Sequence, residues 1–416
     1  MAGGQERAGR FGREHHSSIA MNKLSVRDLD LKGKRLFIRA DFNVPLDESG
    51  RVADAARIQA GLPTIRYALS RGAGVLLASH LGRPRGRVDP DLSLKPVAAA
   101  LEAALGRPVK LARDCVGEAV ERQSAGLAPG QVLLLENLRF HPEEEANGES
   151  FCRQLARLCD CYVNDAFGAA HRAHASTAGM VRFVGGGAAG LLMEREISYL
   201  GKALEHPDRP FVAVLGGAKV SDKIEVIENL MQRVDGMLVG GGMAYTFLRA
   251  RGLEVGKSLV EEDKIPLARG LLGKAEQAGI PLVLPVDHVV TGGLGPDAPS
   301  RVISIGETGP EWMGVDIGPE TRSRFQKILS TAGTVLWNGP VGVFEIDRFA
   351  GGTLALAQAA AAGTATTIVG GGDSIAAVRR AGVADRITHI STGGGASLEF
   401  LSGRKLPGVE SLSDKT

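Results

Sequence analysis

Short apolar runs rich in Val, Ile and Leu alternate along this chain with longer stretches of helical spacing. In the first half the pattern predicts strands over Arg35–Arg39, Gly74–Ser79, Gln131–Glu136 and Cys161–Asn164. In the second it predicts Phe211–Leu215, Gly236–Val239, Leu282–Val286, Thr334–Trp337, Thr366–Val369 and Ile387–Ile390. Strands separated by helices read as βαβ units, and hence as α/β parallel sheets covered on both faces. Between the halves, Leu192, Ile197, Leu200 and Leu204 form a helical stripe that Pro207 and Pro210 end. A chain of 416 residues is too long for one growing core. The expected architecture is two doubly wound, Rossmann-like lobes joined by a helix and hinge. The boundaries read 21–190 for the first lobe, 191–206 for the joining helix and 207–399 for the second. Residues 1–20 are polar and rich in Arg and Gly. They are expected to be a disordered extension, with Met21 a candidate start.

Ligands of open α/β sheets bind beyond the carboxyl ends of the strands, and the two halves differ there. The first half carries Arg39, Asp41 and Asn43, then His80 and Arg83, then Arg139 and His141, then Asn164 and Asp165 leading to His171 and Arg172. Arg57 lies just inside the first long helix. One such arginine is simply a solvated surface charge. Their recurrence at successive strand ends calls for a small polyanion, since guanidinium forks suit phosphate and carboxylate oxygens. The second half carries glycine instead: Gly216–Gly217, Gly240–Gly242, Gly370–Gly372 and Gly393–Gly395. Glycine lets backbone N–H groups approach phosphate oxygens, and a following helix adds a favourable dipole. Helices are expected to start at Asp222, Met243 and Asp373. Lys219 and Lys223 are expected on one helix face, four residues apart. Paired lysines beside glycine loops point to the phosphates of a nucleotide.

Charge and composition exclude other partners. The net charge is +2 and aromatic residues are 5%, which gives neither a basic footprint nor stacking platforms for nucleic acid. No apolar run approaches the length that spans a bilayer. Cys115, Cys152, Cys159 and Cys161 form no C-x-x-C pair. They read as idle thiols in a reducing, cytoplasmic compartment. No G-x-G-x-x-G follows a strand, which argues against an NAD-dependent dehydrogenase. Gly256-Lys257-Ser258 resembles the end of a P-loop, but Arg251 stands where its first glycine belongs. That reading is set aside. A non-catalytic two-lobed anion-binding protein would need no glycine-and-lysine lobe.

The strand-end motifs closely resemble those of phosphoglycerate kinases. They include Arg39–Leu46 (RADFNVPL), His80–Pro84 (HLGRP), Leu135–Glu144 (LENLRFHPEE) and Asn164–Ser176 (NDAFGAAHRAHAS). The match continues through Leu215–Ile224 (LGGAKVSDKI), Val239–Tyr245 (VGGGMAY), Val335–Glu345 (VLWNGPVGVFE) and Gly370–Ser374 (GGGDS). The resemblance runs from Met21 to the C-terminus in family order. It implies a first lobe for 3-phosphoglycerate or 1,3-bisphosphoglycerate, framed by Asp41, Phe42, Asn43, Arg57, His80, Leu81, Gly82, Arg83, Arg139 and Arg172. It implies a second lobe for ADP or ATP with Mg2+. There Gly217, Lys219 and Lys223 would meet the phosphates, and Gly241, Gly314, Asn338, Pro340 and Glu345 would line the adenosine pocket. Gly371, Gly372, Asp373 and Ser374 would also reach the phosphates, with Asp373 steering the magnesium. Arg57, Lys219, Gly372 and Gly395 are the implied catalytic groups. The family pattern further implies a monomer whose last segment, Phe400–Thr416, returns to the first lobe. Two positions depart from it: Ala169 replaces a common threonine, and His288 replaces an apolar residue. Neither is expected to touch a ligand contact. His171 and His174 lack a third ligand at zinc-site spacing and read as anion-site or packing histidines.

Overall fold

The computed structural model describes residues 22–295 and 297–415; the expectations for residues 1–20 and for Met21 lie outside them. Two six-stranded parallel sheets form the frame. The first runs Val109–Leu111, Val132–Leu134, Gly74–Ala78, Arg35–Arg39, Cys161–Asn164, Ala188–Ala189. The second runs His389–Ile390, Thr366–Gly370, Thr334–Asn338, Phe211–Leu215, Gly236–Val239, Leu282–Val283. Strands such as Gly74–Ala78 and Phe211–Leu215 are buried at every position, as parallel strands covered on both faces must be.

In each sheet the chain steps outward on one side of its first strand and then returns to the other side. The order therefore reverses between Arg35–Arg39 and Cys161–Asn164 in one sheet, and between Phe211–Leu215 and Thr334–Asn338 in the other. Such switch points open a crevice where crossover connections part in opposite directions. Arg39, Asp41 and Asn164 stand at the first crevice, and Gly216, Gly217 and Asn338 at the second.

Side-chain alternation sends Leu36, Ile38, Val75 and Leu77 into one apolar cluster of the first sheet. Phe37, Leu76 and Tyr162 pack on the opposite face. In the second sheet Val212, Val214, Val335 and Trp337 form one face, and Ala213, Leu215 and Leu336 the other. Separate cores for the halves were expected, but the inner faces belong to one continuous cluster. Met193, Ile197 and Leu200 of the Leu191–Glu205 helix carry it from one sheet to the other, with Phe400 and Leu401. The helix is buried against both halves, so its stripe unites the cores instead of bridging a gap.

A three-stranded antiparallel sheet, Ser300–Ser304, Asp287–Thr291 and Met313–Ile317, was not anticipated. Its edge strand Ser300–Ser304 is largely exposed and lacks the apolar run that marks a parallel strand. The predicted strand over Leu282–Val286 is correspondingly cut to Leu282–Val283 before the chain turns into this sheet. The last residues return to the first sheet: Leu24 N–H donates to Ser413 O at 2.8 Å, Ser413 N–H to Gly187 O at 2.9 Å, and Asn164 Nδ2 to Gly408 O at 3.0 Å. No helix among the described residues is long and apolar enough to cross a membrane. All four cysteines are free thiols.

Candidate functional site

At the first crevice, cations gather around two histidines. Arg39 is fully buried, donates from Nε to Ser176 Oγ at 2.8 Å, and lies 3.2 Å from His80 Nδ1. Ser176 Oγ in turn donates to the buried Glu144 Oε1 at 2.5 Å, which places a counter-charge behind Arg39. Arg139 is buried, donates to Gly82 O at 3.0 Å and lies 3.1 Å from Glu145 Oε1. Arg57 is held by Asp41 Oδ2 at 2.7 Å. Arg83 and Arg172 have no carboxylate partner among the described residues; Arg172 donates from Nε to His171 Nε2 at 3.1 Å.

These groups converge. Burial pushes His80 well below its ordinary value, and Arg39, Arg139, Arg57 and Arg172 push it further. Burial, then Arg139, Arg39 and Arg172, take His174 down to about 3. Both imidazoles are therefore neutral beside concentrated positive charge. The Nδ1 atoms of His171 and His174 are buried without a hydrogen-bond partner. A buried unsatisfied group is costly, and an anion or its bound water is the natural partner for such a basket. The frame is local: Phe42 N–H donates to Ser79 Oγ at 2.8 Å, and Gly82 N–H to Asn43 Oδ1 at 2.8 Å. Phe42 and Leu81 are themselves buried, so only their backbone is available to a ligand. Gly168 packs directly against this frame, since a Cβ there would fall 2.6 Å from Asp41 Oδ2.

The second crevice is made of backbone. Gly217 N–H donates to Pro340 O at 2.8 Å, and Gly241 N–H to Val341 O at 3.1 Å. At Gly241, φ is +69°, and a Cβ would meet Gly217 O at 2.7 Å and Pro340 O at 2.8 Å. No side chain fits there. Helices Gly242–Ala250, Gly372–Arg380 and Gly395–Leu401 begin behind glycine N-caps that supply no capping side chain. In Gly372–Arg380 the first N–H groups have no acceptor among the described residues and suit an outside one. By contrast, Met243 N–H donates to Gly217 O at 3.0 Å and Ala396 N–H to Gly393 O at 3.0 Å. The starts are one residue earlier than the expected Met243 and Asp373. The Asp373 side chain is exposed and forms no hydrogen bond or ion pair among the described residues. Ser374 is buried, its Oγ accepting from Gly339 N–H at 2.6 Å.

Lys219 and Lys223 do not share a helix face. Residues Ser221–Lys223 form a 3₁₀ turn and the α-helix starts only at Ile224, so the spacing of four carries no helical register. Lys219 is exposed, whereas Lys223 is buried and bonded to Asn338 Oδ1 and, at 3.3 Å, to Asn338 O. Burial lowers its pKa to about 8. Asn338 therefore sits under Lys223, away from the adenosine cavity expected for it, and its Nδ2 is buried without a partner.

A cavity of about 480 Å³ adjoins the glycine loops. Gly217, Gly241, Gly314, Pro340, Glu345 and Asp373, all read from the sequence, line it. So do Tyr245, Lys257, His288 and Asp316, which the sequence reading left out. Lys257, part of the P-loop-like motif set aside above, stands at this wall where its turn pairs with the chain at Trp312, Lys257 N–H donating to Trp312 O at 2.7 Å. His288, a departure from the family pattern, packs against this wall: a Cβ on Gly314 would fall 2.8 Å from its Nδ1. The expectation that His288 touches no ligand contact is corrected accordingly. The order of residues along the chain could not reveal this, because Asp287–Thr291 belongs to the unanticipated antiparallel sheet.

A family model described as phosphoglycerate kinase matches residues 26–404. The chain belongs to the phosphoglycerate kinase family. Curated phosphoglycerate kinases similar to it include that of Koribacter versatilis (strain Ellin345), 57% identical over 403 residues, covering 95% of this chain and 100% of the relative. That of Moorella thermoacetica is 58% identical over 395 residues, with 95% and 100% covered. Among solved structures, the phosphoglycerate kinase of Coxiella burnetii superposes with a TM-score of 0.87 at 42% identity, covering 94% of this chain and 98% of that one. The enzyme of Pyrococcus horikoshii OT3 gives 0.77 at 34% identity over the same shares.

Elsewhere in this phosphoglycerate kinase family member, Asp114, Cys115 and His141 place donor atoms within 4.8 Å of one another. Asp114 and His141 already satisfy each other at 2.7 Å, and burial holds the Cys115 thiol well above its ordinary pKa. The group reads as an ion pair beside a protonated, packed thiol.

Proposed function

We propose that the chain catalyses its family's reaction, reversible transfer of the acyl phosphate of 1,3-bisphosphoglycerate to ADP, giving 3-phosphoglycerate and ATP. The observation that carries the assignment of sites is the contrast between the crevices of one chain. One gathers arginines, of which Arg83 and Arg172 have no carboxylate partner among the described residues, and the other holds helix N-termini behind glycine without capping side chains. The first suits a small phosphorylated carboxylate and the second a nucleotide's phosphates.

In the ATP-forming direction a β-phosphate oxygen of ADP attacks the acyl phosphorus. The bond from phosphorus to the carboxyl oxygen breaks, and the carboxylate departs with the electron pair. No proton moves, so no general base is needed. Charge spreads over the equatorial oxygens in the transition state, and fixed cations and N–H groups stabilise it. Arg57 from one side and Lys219 from the other bracket the transferring group, with the N–H groups of Gly372 and Gly395. Arg83, Arg139 and Arg172 hold the phosphoglycerate, Asn43 orders the loop beside Arg83 through Gly82 N–H, and Asp41 positions Arg57. Asp373 offers an unpaired carboxylate beside the cavity. That fits a magnesium ion held by one carboxylate and the nucleotide's phosphate oxygens, which would neutralise phosphate charge.

We assign residues 21–190 with 400–416 to the phosphoglycerate lobe, 207–399 to the nucleotide lobe, and 191–206 to the helix between. Both crevices lie within one chain, so a monomer suffices, and the four free thiols accord with a reducing, cytoplasmic compartment. A coupled assay tests the reading: turnover should require 3-phosphoglycerate and MgATP together and be indifferent to NAD. A chain that binds phosphoglycerate but no nucleotide would overturn it in favour of a non-catalytic binding protein.

A further inference from the structure

The cavity that the proposed function gives to the nucleotide has two unlike ends. Glycine loops and helix N-termini form the phosphate end. Beyond them the wall is apolar, built by Leu259, Pro285, Leu294 and Met313. Tyr245 and His288 interrupt it. The Tyr245 hydroxyl lies 3.1 Å from His288 Nδ1, and His288 Nε2 lies 3.0 Å from Thr308 Oγ1. Tyr245, His288 and Thr308 are 6%, 1% and 6% exposed, so the chain is shielded from bulk water and its directions matter.

Gly314 shows that space is reserved for this pair. A Cβ there would lie 1.8 Å from the tyrosine oxygen and 2.8 Å from His288 Nδ1. Burial lowers His288 to about 4, so at neutral pH the ring has one donor and one acceptor nitrogen. If Thr308 donates to Nε2, then Nδ1–H donates to the tyrosine oxygen, and the Tyr245 O–H is left to donate. Run the other way, Tyr245 donates to Nδ1 and its oxygen is left to accept. Either direction leaves the hydroxyl one unused valence, and it has no other partner among the described residues. An apolar pocket orients its ligand through a few such groups.

We infer that Tyr245 and His288 read the polar edge of the nucleobase, the tyrosine hydroxyl meeting the base and His288, anchored by Thr308, acting as the positioning residue. The inference rests on the nucleotide reading of the cavity. It adds a base-recognition role at the position where the chain departs from its family's motif.

Binding calorimetry with ADP and with ribose 5-diphosphate, which lacks the base, separates base reading from packing. Tyr245→Phe and His288→Val should each weaken ADP binding about three- to tenfold, the worth of one hydrogen bond. Affinity for ribose 5-diphosphate should not change, which also shows that the cavity remains folded. The double variant should be no weaker than either single one, because the pair acts as a unit. His288→Asn, which restores a polar atom near Nδ1, should recover most of the loss. In steady-state assays the loss should fall on KM for MgADP rather than on kcat. Equal weakening of both ligands, or unchanged ADP affinity in both variants, would overturn the inference and leave a packing pair. Wild-type protein that bound neither ligand would instead overturn the nucleotide reading, and the inference with it.

Discussion

Lys219 and Lys223 illustrate how burial separates two residues of identical chemistry. Lys219 stays exposed beside the glycine loop, free to follow a moving charge. Lys219→Ala should lower kcat by about 10²–10³-fold, as removal of one transition-state donor typically does, while 3-phosphoglycerate affinity holds. Exposed Lys327 on the helix Pro319–Leu329 is the control, and equal activity of the two alanine variants would remove Lys219 from the mechanism. Lys223 is held near pKa 8 because burial disfavours its ammonium form. A bound phosphate favours that form and raises the value again. In a window above about pH 8 the free protein's Lys223 is mostly neutral, and a phosphate that raises its pKa should return it to the charged form. MgADP binding should therefore take up a proton in that window and little below pH 7. Calorimetry in buffers of different ionisation enthalpy measures the uptake, and Lys223→Met should abolish it.

At the scale of elements, two glycines beside helix starts make opposite demands. Gly241 has a positive φ and is hemmed in by Gly217 O and Pro340 O. Gly241→Ala should lower the melting temperature, because a non-glycine residue in that region costs about 1–3 kcal/mol even before the collision. Gly372 opens its helix without a positive φ, and a Cβ added there would meet nothing within 4 Å. Gly372→Ala should leave stability equal or slightly better, since alanine favours helix over glycine by about 0.5–1 kcal/mol. If it nevertheless slows turnover, the loss reports crowding of a phosphate by the new methyl group rather than damage to the fold. Thermal melts and steady-state kinetics on the two variants distinguish these demands. Unfolding of Gly372→Ala, or full stability of Gly241→Ala, would contradict this division.

At the scale of the molecule, contacts of the joining helix and one ion pair span the two halves. Glu196 of the joining helix is fully buried and accepts from Thr392 N–H at 2.6 Å, and it lies 2.9 Å from His389 Nε2. Nearby, Arg379 and Asp54 form a 3.4 Å ion pair between the helix that starts at Gly372 and the approach to the helix that carries Arg57. Both groups are about half exposed, so the pair is weak and readily remade. Reacting atoms must come within about 3–3.5 Å, and each substrate alone fills one crevice. Scattering should show the radius of gyration falling most when 3-phosphoglycerate and a non-reactive nucleotide are bound together. Equal compactness of the free protein, both binary complexes and the ternary complex, in a fully active enzyme, would exclude closure.

Hydrophobic patterning alone dictates the two parallel sheets, because strands buried on both faces must be continuous apolar runs. Arg35–Arg39, Cys161–Asn164, Phe211–Leu215 and Gly236–Val239 form as their patterns require. The contrast of arginine and glycine at the strand ends is equally legible in the chain, since those residues follow their strands directly. Other features depend on how the elements pack. The exposed strand Ser300–Ser304 has no core to write its pattern into sequence. Lys223 and Asn338 meet across 115 positions, and His288 meets Tyr245 across 43. Local spacing carries no information about such pairs, because packing and burial, not chain order, set which polar groups are left to satisfy one another.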